Sequence, residues 1–125
     1  KNQKQNLEQL VELTKRFYVE KKAEQIADKL DKLADKEDAL SNDEKNNNKA
    51  NQDAITKDFE KIQEELKDLD KENKDLKAPM DIPNDKNEQE DVKEDMKKAA
   101  EDLQNQNQKK KWRYSLQSLK NQILQ

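Results

Sequence analysis

The chain has 125 residues, 44% of them charged and only 30% hydrophobic, with two prolines and no glycine, cysteine or histidine. That inventory excludes thiol chemistry, zinc-finger ligation, imidazole catalysis and a glycine-rich phosphate loop. So little apolar content predicts no single compact core of ordinary size, while the wealth of Lys, Glu, Gln, Leu and Ala favours long helices with narrow apolar stripes over disorder.

Charge is unevenly distributed. Residues 1–102 carry 21 basic and 29 acidic side chains, a net −8, and residues 103–125 carry five basic and no acidic ones, a net +5. The two parts therefore face different electrostatic partners. No apolar run approaches the roughly 18 residues of a membrane span, and there is no secretory apolar segment. Because the chain opens on Lys1 rather than Met, it is expected to be a piece of a longer or processed protein.

Residues 1–6 are polar and expected to fray. A first helix, about residues 7–39, follows with two stripes: Leu7, Val11, Thr14 and Tyr18, then Val19, Ala23, Ile26, Leu30, Leu33, Glu37 and Leu40. They do not share one seven-residue phase, and the slip near Phe17–Lys22 predicts a stutter that changes the local winding. Phe17 and Tyr18 thicken the helix there and form a candidate docking place, either as a wider patch of core or as a partner site.

S-N-D-E at Ser41 to Glu44 reads as a capping box and predicts a second helix over about 42–77, unless the Asn-rich run Asn46–Asn48 is instead part of a loop. Within it Ile55, Phe59, Ile62, Leu66, Leu69, Asn73 and Leu76 alternate steps of four and three, the seam of a coiled coil. Two helices of nearly equal length, each roughly 50 Å at about 1.5 Å per residue, with a short join imply an antiparallel hairpin over residues 1–77. The fold class is thus all-α, with the seam packed on the 19–40 stripe. Asn73 is expected to face residues 7–11, either fixing register through a polar partner or hydrated at the open end. Exposed pairs such as Asp28/Lys32 and Asp70/Lys74 support the helices.

Pro79 and Pro83 end the second helix and define a connector at 78–86, where Met80 and Ile82 are expected to tuck against the hairpin. A third helix over 87–110 should open at Asn84 or Asn87, with the stripe Val92, Met96, Ala99, Ala100 and Leu103, and the run Gln104 to Lys111, which has no apolar residue, reads either as solvated helix or as a break. The segment 111–125 is basic and amphipathic, with Trp112, Leu116, Leu119 and Ile123 spaced four, three, four. Three readings fit it: a fourth packing helix, a helix docking a specific partner protein, or attachment to an anionic membrane surface.

No catalytic group, cofactor or metal site is expected. The acids Asp81 and Asp85 lack the calcium-loop frame, and the Lys109–Arg113 cluster with Trp112 and Tyr114 is too small a basic stripe for a nucleic-acid module. Partners are expected to be proteins engaged by helical packing, with the seam satisfied within the chain or in a homo-oligomer.

Three stretches, N-L-E-Q-L-V-E-L-T-K-R-F-Y-V-E-K-K-A (Asn6 to Ala23), F-E-K-I-Q-E-E-L-K-D-L (Phe59 to Leu69) and L-K-A-P-M-D-I-P (Leu76 to Pro83), together resemble part of a family of very large Bacteroidota proteins. The resemblance spans about residues 6–103 and rests most on the P-M-D-I-P connector. From Lys111 onward no match is seen. The family resemblance implies an N-terminal membrane anchor in the parent protein, long extracytoplasmic coiled-coil regions and an uncharacterised function. It places the chain in the cell envelope, on the periplasmic side of the inner membrane, and carries over no catalytic residue.

Overall fold

A computed structural model describes residues 2–82, 86–101, 103 and 106–124, with side chains except at 88 and 106–112. Four helices follow in order: α1 (Asn2–Ser41), α2 (Lys49–Lys74), α3 (Lys86–Glu101) and α4 (Gln106–Ile123). The fold is all-α. Each helix packs on its neighbours in a closed ring, α1 on α2, α2 on α3, α3 on α4 and α4 back on α1.

Ion pairs record the directions. Along α1, Lys22, Lys29 and Lys36 meet Glu72, Glu65 and Asp58 of α2 at 3.3, 2.6 and 3.3 Å. Each step of seven up α1 matches a step of seven down α2, as an antiparallel coiled coil requires. On the other flank of α1, Asp31 and Asp38 meet Lys120 and Arg113 of α4 at 2.6 and 2.9 Å, again seven against seven in opposite senses. Neighbours around the ring alternate in direction, so the chain is an up-down-up-down bundle. Such partly exposed pairs contribute at most about 1 kcal/mol each and report the register more than they hold it.

The core holds it. Val19, Ala23, Ile26, Leu30 and Leu33 of α1 close on Ile55, Phe59, Ile62, Leu66 and Leu69 of α2, with Leu76 just beyond. Val92, Met96 and Ala99 of α3 and Leu116, Leu119 and Ile123 of α4 complete one continuous cluster. Four thin stripes thus converge on a single core, contrary to the expectation from composition. Helical periodicity concentrates the few apolar residues on facing sides, so the overall percentage understates what can be buried together.

Several boundaries differ from those read in the sequence. The capping box is not formed: Ser41 ends α1, its hydroxyl donating to Glu37 Oε1 at 2.9 Å. Asn48 caps α2 instead, accepting from the Asn51 amide at 2.9 Å. The Asn-rich run is therefore a loop, in which Asp43 accepts from the Asn46 backbone and side chain; that side-chain bond holds the Asp43 carboxyl below its usual range. At the first residues, α1 is helical from Asn2 rather than frayed. With α1 at 40 residues and α2 at 26, the two are far from equal. Lys86 opens α3 ahead of Asn87, so Asn87 lies inside the helix; Asn84 falls outside the described residues. The expected helix 87–110 is two elements, with Leu103 in a turn between α3 and α4.

Asn73 is buried, but its partner is the connector and not the early part of α1. Its Nδ2 donates to the Met80 carbonyl at 2.7 Å and its Oδ1 accepts from the Met80 amide at 2.9 Å. A side-chain amide reproduces a backbone pair, satisfying both polar groups of a residue just past Pro79. Met80 and Ile82 then lie partly buried against the core.

Candidate interaction surface

The register fixes how far α1 outruns its partners. Lys22 already pairs with Glu72, and α2 ends at Lys74. Upstream of Val19, α1 continues for roughly 25 Å at about 1.5 Å per residue. We refer to residues 2–18 as the arm.

On the arm the inward line of the helix changes character. Stepping back from Val19 and Ala23 by sevens gives Glu12 and Arg16, then Gln5 and Gln9. Glu12 accepts from the Lys77 amide at 2.8 Å, and Arg16 donates to the Ala78 carbonyl at 2.7 Å, so these two side chains grip the connector. The connector backbone has polar groups left open at the end of α2, and charged partners satisfy them strongly.

Leu10, Leu13 and Phe17 point the other way, while Leu7, Val11, Thr14 and Tyr18 lie on a flank beside Glu72, Asp75 and Lys77. Leu10 and Val19 are nine residues, about two and a half turns, apart and therefore on opposite sides of the helix. Leu7, Leu10, Val11, Leu13, Phe17 and Tyr18 are between 53% and 63% exposed. All four charged residues between 7 and 18 (Glu8, Glu12, Lys15 and Arg16) lie on the side of Val19. The arm is amphipathic, and its apolar side runs from the face opposite Val19 round to the flank beside the end of α2. Lys21 stacks over the Phe17 ring at 5.5 Å and Lys22 over the Tyr18 ring at 6.0 Å, closing the bundle-side end of the patch.

This geometry replaces the expected stutter. Because α1 is one uninterrupted α-helix, the two stripes belong to two faces and no local rewinding is needed. Phe17 lies on the outer face and Tyr18 on the flank beside Glu72 and Asp75, and neither is buried in the core. Leu10 and Leu13 were not singled out in the sequence. They complete a 7–10–14–17 line and its flank, a pattern visible once the two stripes are treated as separate surfaces.

The second candidate docking surface is not available. Leu116, Leu119 and Ile123 of α4 are buried in the bundle, so the terminal helix spends its apolar face on the core. Tyr114 is exposed; the Trp112 side chain lies outside the described residues, as does Asp85. The seam residues Ile55, Phe59, Ile62, Leu66, Leu69, Asn73 and Leu76 are all buried within the one chain.

At the loop end of the bundle lies a polar cluster. Glu37 is wholly buried, its Oε1 accepting from Ser41 and from Gln52 Nε2 at 3.0 Å, while Gln52 also donates to Asn47 Oδ1 at 2.9 Å. These bonds tie the ends of α1 and α2 to their loop, which is structural work. Among the described residues there is no group of three acidic side chains placed to hold a metal ion, and no helix long and apolar enough to cross a membrane. No protein-family model matches the chain, and comparison with curated proteins and with solved structures finds no similar one.

Proposed function

We propose that the chain is a non-enzymatic scaffold module that works through helix–helix protein contacts, as one part of a larger cell-envelope protein. The observation that carries this reading is the arm: an exposed apolar strip on a continuous helix, left out of the core that the described residues build. A patch of this kind marks an interaction site, and an amphipathic helix presents it in the form another helix can pack against. The resemblance over residues 6–103 supplies the location, periplasmic and attached to an inner-membrane anchor.

An adaptor role for the terminal segment, or its attachment to an anionic membrane surface, would require α4 to leave the bundle and expose Leu116, Leu119 and Ile123. The arm needs no such rearrangement. The test is photo-crosslinking in the producing cells from position 17 and, as control, from Lys32 on the exposed face of α1. Protein adducts are expected from position 17 and not from position 32. Equal yields, or none from position 17, would contradict the reading.

A further inference from the structure

The geometry points to a second copy of this chain as the occupant of the arm, paired antiparallel with it along Leu7, Leu10, Thr14 and Phe17. This inference rests on the arm being the interaction surface and adds what covers it.

The first argument is self-complementarity. Leu7 and Thr14 alternate with Leu10 and Phe17 in steps of three, four and three, the two core positions of a heptad. In an antiparallel pair each residue of the first kind meets one of the second. Taking the two-fold axis beside Glu12 puts Leu7 against Phe17 of the second copy and Leu10 against its Thr14, and the symmetry repeats both pairs. Large meets medium and medium meets small, so the layers fill evenly. Val11 and Leu13 flank the axis and each lies close to its own counterpart. An interface built this way is isologous and closes as a dimer.

Electrostatics and space agree with it. Among the arm's own residues 7–18 the outer face carries no charge, and Asp75 and Lys77 border its Leu7–Tyr18 flank, at the rim of the pair. The helices of the bundle lie downstream of the arm, and the connector gripped by Glu12 and Arg16 runs beside it. In the pair the two bundles therefore sit at opposite ends, and neither blocks the approach. The area suits a monomer–dimer equilibrium rather than a permanent dimer. Exposures of 53–63% on six side chains leave roughly 600 Å² of mostly apolar surface per copy, so complete burial of both patches sets an upper bound of about 1,200 Å², the lower end of specific interfaces.

The chain has no cysteine, so single cysteines report the pairing directly. In the intact chain, Leu13→Cys should be crosslinked to itself by a short bis-maleimide. Leu7→Cys alone and Phe17→Cys alone should not, because each pair of like positions is separated by roughly 15 Å along the axis. A mixture of those two variants should give the crosslinked heterodimer. Sedimentation of the unmodified chain should show a monomer–dimer equilibrium. Self-crosslinking at positions 7, 13 and 17 alike would mean parallel pairing and would overturn the proposal. So would a chain that stays monomeric at millimolar concentration, or one that is monomeric and binds phosphatidylserine vesicles through the arm. A monomer that still crosslinks to a foreign protein from position 17 removes the second copy but leaves the arm as an interaction surface; a monomer with no adduct at position 17 removes both.

Discussion

Replacing Leu66 by aspartate is expected to abolish the bundle: the far-ultraviolet helical signal should fall to a small fraction of its original value, with no cooperative melt. Leu66 is buried in the centre of α2, between Ile62 and Leu69. Losing its packing costs about 2–5 kcal/mol, and leaving a carboxylate there without a partner costs about 3–5 kcal/mol more. Domains of this size have about 5–15 kcal/mol in total. All four helices share the one cluster, so the loss is not confined to α2. Leu66→Met, which keeps the volume, should cost under about 1.5 kcal/mol and retain the melt. A helical, cooperatively melting Leu66→Asp chain would mean that the seam is not where the fold is held.

The opposite outcome is expected on the arm. The double substitution Leu10→Glu and Phe17→Glu should weaken self-association at least about 100-fold, since each copy brings two carboxylates into the apolar layers and each lost tenfold corresponds to only about 1.4 kcal/mol. Yet in dilute solution the variant should melt like the parent, within roughly 0.5 kcal/mol, because both side chains are already exposed and glutamate is a good helix former. A large drop in the melting temperature of the dilute variant would show that Leu10 and Phe17 belong to the monomer's core. Leu66→Asp and the arm variant thus separate two roles played by similar apolar residues on neighbouring helices.

Periodicity made the core legible. Every residue of the four-three line from Ile55 to Leu76 is buried, and so are Val19 to Leu33 on α1, because a residue repeated at the helical period has no choice of face once its neighbours are buried. Boundaries were harder to read. Ser41 and Glu44 have the spacing of a cap, but the buried Glu37, one turn before Ser41, needs a donor more than a new helix needs a start, and Ser41 supplies it. Asn73 was recognisable as the polar residue of the seam, although its partner was not, since the return of Met80 past Pro79 is a matter of chain path. The arm is ambiguous in the sequence for a different reason. Its two-stripe pattern was seen, but a stripe out of phase with the core suggests distortion when one surface is assumed, and a second surface only when the ends of α2 and α4 are known. Which side Leu10 and Leu13 served could not be decided before then.

Amide hydrogen exchange along α1, followed from low to high protein concentration, tests the central claim most directly. The two halves of this helix should behave as parts of two different assemblies. Residues 19–37 should exchange slowly at every concentration, while residues 3–16 should exchange quickly in dilute solution and become protected as the chain pairs. Uniform slow exchange along the whole of α1 in dilute solution would place the arm in the monomer's own core, and an arm that stays unprotected at high concentration would deny it a second copy; either would contradict the account.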